Sequence, residues 1–317
     1  MSAAPAGTTR DVALGWRVLD VLIAAKRRTG RAGARFGSFL MVLPGIALVS
    51  ILAAGLVLLA WRSFHSFDPF LFRQGPLSAD NYRSVVEDEL IRTVFVRTLL
   101  MTLVSTVMAI LIALPLAYVM TRTTKRWVRL LLLVTIFLPI LTGDIARAYG
   151  WLVLLGREGL LSWVVGGDPG MLGTLWAVGL GSVQILIPLS VVILLPAFQR
   201  VDVELEQAAA TMGAGPVRVW TRVILPLVRP GITGAAAVCI TICMTEFANP
   251  SLLGQGVRDY VANLVQSVVL GRDNVYLGSA IGLTLLVIVM IFVTVLLVLG
   301  QTRGGDPLGD LEPKAER

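Results

Sequence analysis

The sequence predicts an all-α membrane protein with six transmembrane helices. Apolar residues make up 56% of the 317 residues and charged residues only 15%, whereas soluble proteins contain about 25% charged residues. Six apolar segments are each long enough to cross roughly 30 Å of hydrocarbon as a helix. These segments are Phe39–Trp61, Thr98–Met120, Leu130–Leu155, Leu175–Phe198, Gly231–Leu253 and Tyr276–Gly300.

The fifth segment is the least regular of the six. Glu246 and Asn249 interrupt it before Pro250, which lowers its hydropathy. We count it as a span because omitting it would place both of its flanks on one side of the membrane and upset the distribution of charge.

The basic residues predict the orientation in the membrane. If the N-terminus is cytoplasmic, cytoplasmic segments contain 18 of the 27 Lys and Arg residues but only 9 of the 20 Asp and Glu residues. This distribution satisfies the positive-inside rule and places both termini in the cytoplasm of a multi-pass membrane protein. The formal net charge of +7 is therefore a sign of topology, and nucleic-acid binding is not expected.

Three parts can be distinguished along the chain. Residues 1–36 form a predicted cytoplasmic segment, in which an apolar stripe from Val12 to Ile23 favours an amphipathic helix on the lipid surface. Residues 37–301 form the predicted membrane domain. Residues 302–317 are rich in glycine, proline and mixed charge, and we expect them to be disordered.

A polar cytoplasmic loop, residues 199–230, separates the fourth span from the fifth. Its small side chains would let another surface approach closely, and its arginines favour a cytoplasmic location. The pattern predicts a helix, a turn and a second helix that two prolines stop. The corresponding residues are Glu206–Met212, Gly213–Pro216 and Val217–Ile224, followed by Pro226 and Pro230.

This loop resembles the signature of membrane permeases of ATP-binding-cassette importers. In that signature Glu-Ala-Ala is followed after three residues by Gly and, nine residues later, by Ile-x-Leu-Pro. The chain has Gln207-Ala208-Ala209, then Gly213, then Val223-Ile224-Leu225-Pro226, at the same spacing. The resemblance implies the transmembrane fold of a type I importer of the cell inner membrane, with this loop as the coupling helix that docks on an ATPase. The residues expected at that contact are Glu206, Gln207, Ala208, Ala209, Gly213, Ala214, Leu225 and Pro226.

Gln207 departs from the signature, because it replaces the acidic residue. A carboxylate stands one place earlier, at Glu206, and Val223 replaces the isoleucine. Position 207 therefore carries no charge for the contact that the signature's acidic residue would make.

Polar groups inside apolar spans are candidates for a translocation path, because charge is costly in a membrane. Asp144 and Arg147 are three residues apart and can form an ion pair on one helix face. Glu246 has no basic residue within one helical turn, which favours a position facing a cavity, another chain or a substrate.

Three further stretches resemble the second, third and fifth spans of permeases of the polyamine type, the spermidine and putrescine branch. They are Ala113–Tyr118, Ala146–Trp151 and Thr245–Gly254. The resemblance implies half of a translocation path for a polyamine or a related cationic amino compound. It also implies three kinds of partner: a second, homologous permease, two ATPase subunits and an external binding protein. The path residues expected are Asp144, Arg147, Tyr149, Trp151, Glu246 and Asn249.

The chain contains no nucleotide-binding or hydrolytic motif. It has no G-x-x-x-x-G-K-[ST] loop, no H-E-x-x-H sequence and no nucleophile elbow. We therefore expect a conduit and not an enzyme, with no cofactor of its own and with ATP and Mg²⁺ bound by the partner ATPase.

The cysteines and the histidine do not indicate a metal site. Cys239 and Cys243 lie four residues apart on the fifth span, far from the single histidine, His65. Two thiols are too few ligands for a metal ion, so we interpret them as packing residues. We interpret His65 as an interfacial residue beside Trp61 and Phe64.

Two other classes of protein would share this composition. A secondary transporter or a channel could use the same buried carboxylates, but a second inverted half or a polar stripe along several spans would be expected, and neither is evident. A membrane anchor or receptor without transport would predict that the buried charges are dispensable.

Overall fold

The computed structural model describes residues 43–68 and 73–301, and most of them are helical. The predicted amphipathic helix and the predicted disordered tail lie outside the described residues. Helix α1 covers Leu43–Ser63. The strands β1 (His65–Asp68) and β2 (Arg73–Leu77) follow. The remaining helices are α2 (Asp80–Glu87), α3 (Glu89–Arg122), α4 (Arg126–Leu141), α5 (Asp144–Leu155), α6 (Leu160–Val165), α7 (Leu175–Gln199), α8 (Val203–Thr211), α9 (Pro216–Val219), α10 (Leu225–Met244), α11 (Ala248–Leu253), α12 (Val261–Gln266) and α13 (Val275–Gln301).

Within the described residues, five helices are long and apolar enough to cross a membrane. Helices α1, α3, α7 and α13 correspond to the first, second, fourth and sixth predicted segments, and a continuous helix over Pro216–Met244 contains most of the fifth. The third predicted segment corresponds to α4 and the helical segment after it, which are bent by 105° relative to each other. The prediction of six spans holds if this bent pair is counted as one.

The third predicted span is therefore not one straight helix. Thr142 and Gly143 both adopt extended backbone between α4 and α5. Pro139, near the end of α4, lacks the N–H that would continue the helical ladder. The Thr142 hydroxyl donates to the carbonyls of Leu138 (3.0 Å) and Pro139 (3.1 Å), which satisfies part of the exposed helix end. A count of apolar residues does not reveal such a break.

The prediction that Pro226 and Pro230 stop the helix after the polar loop is wrong. The helix continues through both prolines to Met244. Trp220–Ile224 forms a π-helical turn, in which the Leu225 N–H donates to the Trp220 carbonyl, and Pro226 follows within the first turn of α10. Proline is tolerated at that position, and the π turn absorbs the change in hydrogen-bond register.

A small antiparallel hairpin interrupts the otherwise helical fold, and the all-α prediction missed it. Strands β1 and β2 pair with His65 opposite Leu77. The buried Asn81 amide donates to the carbonyls of Ser63 (2.9 Å) and His65 (2.8 Å). These bonds connect the hairpin to α2, so His65 is a buried structural residue.

Helices α3, α7 and α10 form the centre of the compact unit that begins at Ala60. Cys239 and Cys243 are buried there as free thiols. The Cys239 sulfur lies 3.1 Å from the Ser190 hydroxyl. Both cysteines thus pack between helices, as the sequence predicts.

Gly231 provides a test of this packing. A Cβ at Gly231 would lie 2.5 Å from Ala197 Cβ, whereas a Cβ at Gly234 would lie 3.8 Å from Ile193 Cγ2. We expect Gly231→Ala to destabilise the protein by about 1–3 kcal/mol through overpacking. Gly234→Ala is the matched control and should be neutral or stabilise by about 0.5–1 kcal/mol. Thermal unfolding in detergent measures both, and equal melting temperatures would contradict the close contact between α7 and α10.

Candidate translocation cavity and coupling loop

Two interruptions of the helices meet at one cavity. The first is the bend before α5, and the second is the break at Thr245–Phe247 between α10 and α11. A cavity of about 320 Å³ lies between them. Asp144 and Glu246 therefore face the same space, together with Ile145, Arg147, Ile185, Ile242, Thr245, Phe247, Ala248 and Asn249.

Arg147 forms the predicted ion pair and also caps a helix. Its Nη2 donates to Asp144 Oδ1 at 2.5 Å. Its Nη1 donates to the carbonyls of Pro139 and Thr142, both at 2.9 Å. The Arg147 side chain is 8% exposed and that of Asp144 is 77% exposed. The guanidinium is thus satisfied by one carboxylate and by the C-terminal end of α4, where the helix dipole favours a cation.

Glu246 is held by neutral donors. The Ser182 hydroxyl donates to Oε2, and the Asn249 amide donates to Oε1. Asn249 is itself 3% exposed. It packs against Gly181, where an added Cβ would lie only 2.7 Å from Asn249 Cγ. Glycine at 181 therefore gives Asn249 the space to orient the carboxylate.

Sequence reasoning missed Ser182. Its only signal is a hydroxyl in the interior of an apolar span, which is also typical of a helix-packing position. The structure shows that Ser182 is fully buried and donates to Glu246.

The charges at the cavity do not balance. Arg147 and Asp144 neutralise each other, and both are near enough to interact electrostatically with Glu246. When ionised, the Glu246 carboxylate leaves a formal charge of one negative unit on the lining. Such a surface favours a cation over an anion or a neutral solute.

The two aromatic path candidates have different positions. Trp151 Nε1 donates to Gln184 Oε1. Both residues line a second cavity of about 430 Å³, together with Arg147, Gly150 and Leu154. Arg147 therefore borders both cavities. Tyr149 lines neither of these two cavities and is 53% exposed, so the structure does not bring it together with the other candidates.

The polar loop forms the predicted helix, turn and helix. The first helix, α8, begins at Val203, three residues before the predicted start. Gly213 has φ +85° in the turn, a conformation that favours glycine. No atom lies within 4 Å of a Cβ built there. The need for glycine at 213 thus comes from the backbone and not from crowding within the chain.

Fewer of the predicted contact residues are exposed than the sequence predicts. Gln207, Ala208 and Gly213 are exposed. Ala209 is only 7% exposed and packs in the core cluster that contains Phe198. Ala209 therefore packs inward and leaves little of its side chain exposed to a partner.

The four other residues expected at the contact lie in different surroundings. Ala214 is partly buried against the same cluster. Leu225 and Pro226 are exposed, but they belong to the first turn of α10. Glu206 forms an ion pair with Arg122 and has a side chain that is 13% exposed. Its carboxylate is thus engaged within the chain.

Comparison with known proteins identifies the class. Residues 94–302 match the family described as binding-protein-dependent transport system inner membrane components. This match covers well over half of the chain, and the protein belongs to that family. It is a permease subunit of an ATP-binding-cassette importer, in the inner membrane, and the resemblance found in the polar loop is confirmed.

Among its relatives is the spermidine/putrescine transport system permease protein PotB of Haemophilus influenzae. The two are 33% identical over 251 residues, which cover 77% of this chain and 87% of PotB. The inner membrane ABC transporter permease protein YdcU of Escherichia coli is 26% identical over 288 residues, which cover 83% of this chain and 90% of YdcU.

A solved bacterial alginate ABC transporter, in complex with an alginate-bound periplasmic protein, has the same fold. One of its chains superposes on this protein with a TM-score of 0.70 at 16% sequence identity. The superposition covers 83% of this protein and 93% of the transporter chain. At this identity the likeness concerns the fold alone, which is that of the transmembrane domain of a type I importer.

The two faces of α8 can be tested by their stability. We expect Ala209→Arg to lower the free energy of unfolding by about 2–4 kcal/mol, because it places an unpaired charge in a packed cluster. Ala208→Arg, the matched control on the exposed face, should change it by no more than about 0.5 kcal/mol. Thermal unfolding of the two variants in detergent makes the comparison, and an equal loss in both would mean that Ala209 does not face inward.

Proposed function

We propose that this permease forms half of the translocation path for a polyamine or a related cationic amino compound, delivered by an external binding protein. The observation that carries the proposal is the cavity at the two helix breaks, where Glu246 is the carboxylate without a cationic partner in an ion pair. PotB relatives, which are named for spermidine and putrescine, support the same class of solute.

Helix breaks suit a transport site for a physical reason. Backbone carbonyls and N–H groups at membrane depth must be buried in protein or line a polar cavity, because lipid cannot satisfy them. Here side chains satisfy part of each break: Thr142 and Arg147 at the first, and Asn263, which donates to the Phe247 carbonyl at 3.1 Å, at the second. The breaks thus supply space for a polar solute without leaving the backbone exposed to lipid.

We propose that the driving force comes from a separate ATPase, present in two copies. A second, homologous permease would complete the path. ATP and Mg²⁺ would bind to the ATPase, since the chain carries no phosphate-binding motif. The loop between α7 and α10 supports a docking role through two exposed apolar side chains, Met212 at 82% and Val217 at 76%. Exposed apolar side chains on both sides of the turn of an otherwise polar loop support a surface that a partner covers.

Glu246→Gln tests the solute class. The substitution keeps the size and removes the charge, so we expect uptake of spermidine to fall about tenfold, the equivalent of roughly 1.4 kcal/mol of lost interaction. Uptake is measured in vesicles that contain the complete importer, with its purified binding protein outside and ATP inside. Glu158→Gln, in an exposed loop, is the matched control and should leave uptake unchanged.

Two results would contradict the proposal. Uptake by Glu246→Gln at the level of the unsubstituted protein would remove the argument for a cation. Uptake that persists without ATP would favour a channel or a secondary transporter.

Ala208→Arg tests the docking surface. A long charged side chain on the exposed face of α8 should reduce co-purification of the ATPase with the permease by about tenfold, because the close approach of the partner is blocked. Thr124→Arg adds the same charge to an exposed residue between α3 and α4, and we expect normal co-purification. If both variants retain the ATPase equally, this face of α8 is not the contact.

A further inference from the structure

The coupling helix α8 is fixed to a membrane helix that is not its neighbour in sequence. Arg122 is the last residue of α3, and Glu206 lies 84 residues later on α8. Arg122 Nε donates to Glu206 Oε1 at 3.0 Å, and Nη2 donates to the same oxygen at 2.5 Å. Nη2 also donates to the Val201 carbonyl at 2.8 Å, in the link between α7 and α8.

A tyrosine completes the contact. The Tyr118 hydroxyl donates to Glu206 Oε2 at 2.9 Å, so both carboxylate oxygens are engaged. The Tyr118 ring packs edge-on against Trp220 (centroids 5.0 Å apart) and against Phe198 (6.1 Å). We call Tyr118, Arg122 and Glu206 the latch. It connects α3 and α8 to the end of α7 and to the π turn before α10.

The latch is more than a surface ion pair. The side chains of Arg122 and Glu206 are 18% and 13% exposed, whereas those of Arg83 and Glu87 on α2 are 73% and 62% exposed. Partly buried pairs with several hydrogen bonds resist separation, because each partner left alone would be an uncompensated charge. Exposed pairs such as Arg83 and Glu87 contribute little.

The other end of α3 is fixed as well. Thr98 Oγ1 accepts from the Val261 N–H at 3.1 Å, and Arg97 donates to the Val257 carbonyl at 3.2 Å. Between these ends, α3 packs along α7, next to the helix turn that carries Ser182. A helix of 34 residues is about 50 Å long. One continuous element therefore extends from the loop after α11 to the coupling helix.

We propose that the latch makes α3 move as one body with the coupling helix, so that ATPase movement at α8 reaches the cavity through α3 as well as through α7 and α10. Tyr118, Arg122 and Glu206 are positioning residues in this scheme. The inference rests on the proposed docking of α8 on an ATPase. It also assigns Glu206 a role inside the permease and leaves Gln207 and Ala208 for the partner.

A double-mutant cycle tests the latch in the complete importer reconstituted in vesicles. Arg122→Gln and Glu206→Gln should each raise the ATP hydrolysed per spermidine imported by about tenfold, because a buried charge is left unpaired and the two elements separate. The double variant should be less impaired than the product of the single effects, since it leaves no unpaired charge. The matched cycle on Arg83→Gln and Glu87→Gln should change the ratio by less than about twofold.

Three outcomes of these measurements would overturn the proposal. The first is an unchanged ratio of ATP to spermidine in both single variants. The second is a double variant whose defect equals the product of the single defects, as for independent residues. Co-purified ATPase is measured for every variant, and a ratio that rises only in proportion to lost ATPase would also overturn it.

A distance measurement separates this inference from the proposal on the solute. Spin labels are attached at cysteines that replace Thr124, after α3, and Val203, the exposed first residue of α8, with Cys239 and Cys243 replaced by alanine. The latch predicts one narrow distance distribution that ATP does not change, and a broadened distribution in Glu206→Gln. A distance that shifts on addition of ATP would overturn the latch. Failure of the unsubstituted importer to take up spermidine would reject the solute class alone, because the distances require no solute.

Discussion

The need to satisfy backbone polar groups away from water determines where this fold can break and therefore where a site can form. A lipid-facing helix end would leave carbonyls without donors. At the end of α4 the Thr142 hydroxyl and the Arg147 guanidinium supply those donors. Because Asp144 offsets the charge of Arg147, the pair leaves the Glu246 carboxylate without a net counter-charge. The negative charge of the cavity lining is thus linked to the need to satisfy the carbonyls at the end of α4.

Much of the architecture could be predicted from the sequence, because a helix that crosses lipid requires a long apolar segment, which is visible in the sequence. Within the described residues, four of the six predicted spans are uninterrupted helices, and the helix, turn and helix of the polar loop form as expected. The ion pair of Asp144 and Arg147 is also present, since a spacing of three residues suffices to predict it on a helix. These features depend on residues close in sequence.

What the sequence could not predict depends on contacts between distant segments. Ser182 and Glu246 are 64 residues apart, and Arg122 and Glu206 are 84 apart. The inward direction of Ala209 requires knowledge of how α8 lies on the bundle. The uninterrupted helix through Pro226 depends on a local change to π geometry, which composition alone does not reveal.

The two-sided character of α8 has a consequence for how such importers diverge. Ala209 and Glu206 are committed to the interior of the permease, while Gln207, Ala208 and Ala210 are exposed. Under the proposed docking on an ATPase, substitutions on the exposed side would adapt the helix to a changed partner without disturbing the bundle. A substitution at Gln207 would therefore change folding stability little, and under that docking, partner preference and folding stability would evolve almost independently within nine residues of helix.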